Sequence, residues 1–486
     1  MADVRPHSTG LVVRLAANSL VQIGGTGLAS AISFFTFVAI TRGLGPSAYG
    51  SYVAATAFLY LPSVLADLGL STVVLREISA RPDETERTMQ RALPARTLIS
   101  AAAIAVAVVI GLLLPFDERT KTAIAILSLW ALADLLNSSL LPVLQSQLRM
   151  QWAVLANVVG RLTTLGLTLA ALGLGRGFDA ILWATVIGTI VTLAIDFGVV
   201  ARTISLRPVI DFGYWGSLVR TSLVLGLAVG LGQVFFRIDG VLLMLFQSSS
   251  EVGLYGAAFK FIELSDLIVV AVGVSVFPVL TRMVAAAETE RVGRLVQRTF
   301  DVLMATSIPL SIVLFAFPEE LLRLTSGPDF EAASPALRIL AFYPVLAFVA
   351  SLFWQALIAA GRDRPLLAAA IAVLSLNIVL NLILLGPYGF KAAASTKLAC
   401  EVLAVATAAY LVHRAGITLP RFRYTPVLAA GALTMIAVIV FLPGPAALVC
   451  ACALVAYAAV VMLAPGTVHG IVLDLLRTVR RPAPSA

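Results

Sequence analysis

Long apolar runs separated by short polar stretches fill the chain between residues 15 and 463. A helix that crosses a membrane needs about 20 mostly apolar residues. The runs place spans near 15–41, 49–75, 93–114, 122–143, 152–173, 178–201, 217–246, 252–280, 299–318, 336–359, 366–385, 392–412, 426–442 and 446–463. The pattern predicts an all-α polytopic membrane protein of about 14 transmembrane helices. The first run is too long for the apolar region of a signal peptide, and no small-residue cleavage pattern follows it. It is read as a retained span. Pro62, Pro278, Pro309 and Pro344 fall inside spans and predict bends, which membrane helices tolerate because neighbours re-satisfy the freed carbonyls.

Two adjacent runs break the apolar pattern at depth. The run 217–246 is interrupted by Gln233, Arg237 and Asp239, and the run 252–280 carries Lys260, Glu263 and Asp266. An ionised group near the bilayer centre costs on the order of 2.5–3.5 kcal/mol. These five charged groups are therefore expected to face one another or a wet cavity rather than lipid.

Composition agrees with the pattern. The chain is 60% hydrophobic and 12% charged, with a mean hydropathy of +0.98, whereas soluble domains carry about 25% charged residues. Of 34 lysines and arginines, 23 lie in alternate segments that include both termini, 7 lie in the opposite set, and Arg161, Arg237, Lys260 and Lys397 lie within spans. Positive charge accumulates on the inside, so both termini are expected to be cytoplasmic. The net charge of +8 is scattered over short loops and is no footprint for nucleic acid. Cys400, Cys450 and Cys452 all fall in apolar runs and offer no disulfide framework. His7, His413 and His469 lie at or beyond span ends, so no metal site is expected. No phosphate-binding glycine loop and no paired acids on a sizeable outside loop occur, so neither a cofactor nor catalytic residues are expected.

An internal repeat organises the runs. Ser47-Ala48-Tyr49-Gly50 and Gly253-Leu254-Tyr255-Gly256 are related by an offset of 206, and the same offset relates Arg76 to Arg282. A weaker echo relates Asn157-Val158-Val159 to Asn377-Ile378-Val379. The expected organisation is two pseudo-symmetric six-helix lobes, residues 1–205 and 206–415, followed by 416–486 with two peripheral helices and a basic tail. Repeat-built transporters hold substrate at the repeat interface near the midplane.

The four intramembrane cations are the candidate site. At about 1.5 Å of rise per residue, Lys260 sits about 12 Å and Lys397 about 8 Å from the outside. Arg161 sits about 14 Å from the inside, and Arg237 lies in the outer half of its span. Staggered cations suit an anionic headgroup that must cross. Lys260 with Glu263 and Lys397 with Glu401 share helix faces, whereas Arg237 and Asp239, two apart, do not. Asp239, Glu263, Asp266 and Glu401 are the candidate coupling or ion-pairing acids, and proton or sodium coupling is the expectation they raise. Arg161 lacks an acid on its own helix face and is the leading candidate for an anion ligand. Asp67, Asp134 and Asp196 are open as its partners, with Asp67 and Asp196 read as solvated inner ends.

Further motifs carry a family likeness. Residues 41–52 include Arg42-Gly43-Leu44-Gly45-Pro46 and Tyr49-Gly50. Asp67-Leu68-Gly69-Leu70 leads to Arg76-Glu77, Arg237-Ile238-Asp239 precedes Glu251-Val252-Gly253-Leu254-Tyr255, and Phe277-Pro278 precedes Arg282. Asn377, Asn381, Tyr388-Gly389-Phe390 and Ala392-Ala393-Ala394 follow. In this order they resemble the polysaccharide-export, Wzx-type flippases of the multidrug/oligosaccharidyl-lipid/polysaccharide superfamily, over most of residues 15–415. The resemblance implies a two-lobed bundle of fourteen helices in a bacterial cytoplasmic membrane, with a cavity open to one side at a time. It implies transport of an undecaprenyl-diphosphate-linked oligosaccharide, not an enzymatic activity, alongside other membrane proteins of polysaccharide assembly. Of the cations, the motif match covers Arg237 closely; Arg161 and Lys260 rest on depth. The competing readings are a cation-coupled drug antiporter of the same superfamily and a membrane glycosyltransferase, polymerase or ligase. The first span has Asn18 and Gln22 but no acid, against the antiporter, and the outside loops are short, against the enzyme.

Overall fold

The computed structural model describes residues 7–67, 69–422 and 424–463. Arg5, Arg423, His469 and the tail arginines Arg477, Arg480 and Arg481 lie outside the described residues. Fifteen α-helices follow one another, and no strand occurs among the described residues. The first seven are α1 (His7–Asp67), α2 (Leu70–Ala80), α3 (Thr85–Leu113), α4 (Glu118–Ser146), α5 (Met150–Gly173), α6 (Phe178–Ala201) and α7 (Phe212–Phe246). Then come α8 (Ser249–Ala285), α9 (Thr289–Ala316), α10 (Pro318–Ser326), α11 (Ser334–Leu340), α12 (Tyr343–Ala359), α13 (Asp363–Arg414), α14 (Thr425–Phe441) and α15 (Ala446–Leu463).

Among the described residues, nine helical stretches are long and apolar enough to cross a membrane, or ten when the bent pair ending at α12 counts as one span. Two of the nine, of 57 and 52 residues, exceed a single crossing of about 20 residues. Both are broken by glycine. Gly45 (φ 71°) interrupts α1 and Gly389 (φ 58°) interrupts α13, a backbone region that costs a side-chain-bearing residue but not glycine. The helix kinks at these points, beside Pro46 and Pro387.

The remaining boundaries differ from the sequence reading where amphipathic turns extend a span. The second span ends at Asp67, and α2 begins after Gly69 as a separate helix that buries Leu70, Val74 and Ile78. Helix α3 starts at Thr85, eight residues earlier than its apolar core suggests. The segment after α9, read from the sequence as an outside loop, is not a plain loop: α10, a 3-10 stretch (Pro328–Ala333) and α11 fill it, and Phe330 is fully buried there.

By its internal contacts the chain forms two compact units, Met1–Gly253 and Leu254–Ala486. In the first, α1 packs on α3, α4, α5 and α7, and α4 packs on α6. Its core gathers Leu59, Ile104, Ile124, Leu127, Leu182 and Val186. Lipid tails are as apolar as leucine, so helices there associate by close packing of small residues rather than by the hydrophobic effect. The crossing of α5 and α6 follows that rule. A Cβ on Gly160 would stand 1.9 Å from Thr192 Oγ1 and 2.6 Å from the Gly188 carbonyl, and one on Gly188 would meet Thr164 and Gly160 equally closely.

In the second unit, α9, α12, α13 and the end of α8 enclose a core that includes Val296, Phe348, Leu352, Ala356 and Val412. Helices α14 and α15 pack on each other and on α9, with Met435 and Ala453 fully buried and Val440, Val455 and Leu463 exposed. The Tyr457 hydroxyl donates to the Ala305 carbonyl at 3.0 Å and fixes α15 against α9.

Candidate functional site

In the second unit, the charges predicted on α8 and α13 come together. On α8, Lys260 Nζ lies 2.7 Å from Glu263 Oε2, one turn on, as the three-residue spacing requires. Asp266 follows on the same helix. On α13, past the Gly389 break, Lys397 is fully buried, with its ammonium 5.6 Å from the centroid of the Phe259 ring. Such a cation–ring contact strengthens when it is desolvated. Glu401 is one turn further, 5% exposed, and hydrogen-bonded with Tyr343 of α12. Asp266 lies within electrostatic reach of Glu401, Glu263 and Lys397. Three carboxylates and two ammonium groups therefore share one polar cluster. With more acid than base, such a cluster has room for an additional proton or small cation.

In the first unit, Arg161 on α5 finds partners on its own helix and on α1. Its Nε donates to Asn157 Oδ1 at 2.7 Å and its Nη1 donates to Ser33 Oγ on α1. Asp134 on α4, one of the three acids left open, lies within electrostatic reach. The reason is geometric: a guanidinium has five donors in a fixed fork, so a neutral amide one turn back serves where no acid does. Arg161 remains exposed at the surface of its unit. Arg237 on α7 stacks its guanidinium 5.3 Å from the Tyr60 ring and 5.5 Å from Phe236. Asp239, two residues on, is 1% exposed. Tyr60 donates to Gln233 Oε1 at 3.1 Å, which adds an α1–α7 polar contact beside the arginine.

Asp67 and Asp196 are not solvated ends. Asp67 Oδ1 accepts from Arg96 Nη2 at 2.7 Å, and the same nitrogen reaches Ser71 and Ser138, with Arg96 only 3% exposed. Asp196 on α6 is fully buried beside Asn137 of α4. Arg96 falls in the first turn of the span read at 93–114 and is grouped there with the inner arginines, whereas the helix begins at Thr85 and places it about three turns in, where it is buried. The signal was present in the polar but regular Thr85–Gln90 stretch, whose helical continuation buries Thr88, Met89 and Ala92.

Ahead of the deep part of α7, a second network was missed. Arg91 Nε lies 3.4 Å from Asp211 Oδ2, Trp215 Nε1 donates to the Arg91 carbonyl at 2.9 Å, and Tyr214 donates to Glu77 Oε2 at 2.8 Å. Burial, and then the Glu77 carboxylate that holds its proton, push the Tyr214 phenol above its usual range. The connection between α6 and α7 is thereby fastened to α2 and α3.

The model of the family described as polysaccharide biosynthesis protein matches residues 15–284, more than half of the chain. The chain belongs to this family. The match runs through both Tyr-Gly echoes and through Arg161, Arg237 and Lys260, while a second model, MatE, matches residues 225–383. The chain is 26% identical over 416 residues to a probable low-salt glycan biosynthesis flippase, Agl15, of Haloferax volcanii, covering 84% of each chain. A probable flippase of the same organism, AglR, is 22% identical, covering 84% of this chain and 86% of its own. Among solved structures, the lipid II flippase MurJ in its inward closed conformation superposes with a TM-score of 0.76 at 14% identity, covering 91% of this chain and 98% of that one. An inward-facing multidrug resistance MATE family transporter of the MOP superfamily gives 0.65 at 14% identity, covering 80% and 94%. These likenesses show the fold. With the family match they place the chain in the multidrug/oligosaccharidyl-lipid/polysaccharide superfamily, as its motifs implied.

Proposed function

We propose that this family member flips a lipid-linked oligosaccharide, with undecaprenyl diphosphate as carrier, from the inner to the outer leaflet of the bacterial cytoplasmic membrane by alternating access. The observation that carries the reading is the likeness, over 84% of both chains, to a probable glycan biosynthesis flippase, in a chain that commits charged side chains to its membrane spans. The moving parts are the lobes 1–205 and 206–415, with both termini cytoplasmic and 416–486 at the periphery. The diphosphate engages Arg161, Arg237, Lys260 and Lys397 in turn, the sugars occupy the wet interior, and the hydrocarbon tail stays in the bilayer. Staggered cations serve transport because each holds the anion weakly enough to pass it on. Asp239, Glu263, Asp266 and Glu401 set the charge of those cations and supply the site for a coupling proton or sodium ion.

A drug antiporter is the second reading, favoured by the MatE match over residues 225–383. The two part in one assay. Proteoliposomes holding a fluorescent undecaprenyl-diphosphate glycan are compared for the parent, Arg161→Ala, Arg237→Ala and Lys260→Ala. The flippase reading expects each substitution to slow flipping about tenfold, the cost of one charge-assisted contact, with unchanged elution of folded protein. Unaltered rates in all three would leave the cations as scaffolding and sink the anion-relay mechanism. Ion-driven export of organic cations without glycan flipping would favour the antiporter.

A further inference from the structure

A separate pocket of about 630 Å³ lies between the first turns of α4 and α6, lined by Glu118, Arg119, Arg176, Phe178, Asp179 and Trp183 among others. It sits on the face poor in basic residues, which the charge bias assigns to the outside. That face has few cations, and two of them, Arg119 and Arg176, line this pocket. Three of the others are held in ion pairs: Arg323 and Arg338 pair with Glu331 and Glu319, and Lys121 pairs with Glu118 at 3.2 Å. The guanidinium of Arg119 rests 5.9 Å from the Phe178 ring centroid. Among the described residues, neither Arg119 nor Arg176 has an ion pair or side-chain hydrogen bond, and the Asp179 carboxylate has none. The pocket therefore offers two unused forked donors and one unused carboxylate.

Its surroundings are apolar and face outward. From the pocket, α6 continues as an exposed stripe of Trp183, Ile187, Ile190, Ala194 and Phe197, and α4 continues as Thr122, Ala125 and Leu129. Spacings of three and four residues keep each stripe on one helix face. Trp183 lies about 8 Å along α6 from its start, the depth at which tryptophan anchors a helix in the headgroup layer. Headgroup-binding chemistry thus stands directly above two surfaces suited to hydrocarbon chains.

We propose that this pocket binds a zwitterionic phospholipid of the outer leaflet whose headgroup joins a phosphate to a primary ammonium, a phosphoethanolamine. Arg119 and Arg176 take the phosphate oxygens, as guanidinium forks do. Asp179 accepts from the ammonium, which has three donors; a quaternary ammonium has none to give. The acyl chains lie along the α4 and α6 stripes.

The test is lipid retention by the purified full-length protein in native mass spectrometry, with phosphatidylethanolamine, phosphatidylglycerol and phosphatidylcholine of identical acyl chains, and with undecaprenyl phosphate as competitor. The parent is expected to retain phosphatidylethanolamine in preference to the other three. Arg119→Ala and Arg176→Ala should each cut that retention about fivefold, the effect of one lost charge-assisted bond. Asp179→Asn should lower phosphatidylethanolamine retention and leave phosphatidylglycerol unchanged. All three side chains are exposed, and unaltered melting of the variants confirms their folding. Preferential retention of phosphatidylglycerol or of undecaprenyl phosphate, or retention indifferent to all three substitutions, would overturn the assignment.

Discussion

At the scale of single residues, the most consequential side chain is Lys397. It is fully buried, yet its partners Glu401 and Asp266 and the Phe259 ring give its charge somewhere to go. Removing one member of a buried ion pair costs on the order of 3–5 kcal/mol, because the other is left uncompensated. Lys397→Met is therefore expected to lower the thermal midpoint in detergent steeply. Adding Glu401→Gln should restore most of the loss. A double variant no more stable than the single one would show that Glu401 is not the group Lys397 neutralises. Arg161 differs in kind: its hydrogen bonds go to the neutral groups of Asn157 and Ser33, and its acid, Asp134, acts on it from another helix.

At the scale of helices, approach distance governs. Gly160 and Gly188 let α5 and α6 touch backbone to backbone, and a Cβ at either would collide. Gly160→Leu is expected to destabilise the protein by about 1–3 kcal/mol, the usual cost of overpacking. Gly166→Leu, on the same helix with nothing within 4 Å of its Cβ position, should leave the thermal midpoint unchanged. Equal effects from both would mean that glycine flexibility, not proximity, sets the cost. A similar contact joins α1 to the start of α8. A Cβ on Gly50 would stand 1.6 Å from the Ser249 carbonyl and one on Gly253 2.0 Å from that of Pro46. Asp117 accepts from Ser249 at 3.1 Å beside it. The glycine of the first Tyr-Gly pair, Gly50, thus sits at a close helix crossing.

For the whole molecule, orientation rests on where arginine and lysine fall. Reporter fusions whose enzyme folds only outside the cytoplasm should be active when joined after Lys121 or Arg176 and inactive after Arg149, Arg207 or Arg298. The reverse pattern would invert the membrane topology, and with it the direction of transport and the leaflet of the α4–α6 pocket. The cations inside the spans would be unaffected, since their polar partners lie within each unit.

The sequence alone determined what depends on neighbours along the chain: the spans, their apolar faces, the Lys260–Glu263 pair one turn apart, the divergence of Arg237 from Asp239, and the family motifs. Local spacing fixes those through helix geometry. It did not determine the second helix α2, because the apolar run 49–75 continues through Asp67 and Gly69 and reads as a single span, whereas the structure ends one helix at Asp67 and starts another after Gly69. Nor did it determine partners distant in sequence. Ser33 meets Arg161 across 128 positions and Asp67 meets Arg96 across 29, and Phe259 covers Lys397 from another helix. Those pairings follow from the rotation and crossing of whole helices, which small residues set by how closely they let two backbones come, and only the tertiary structure decides that.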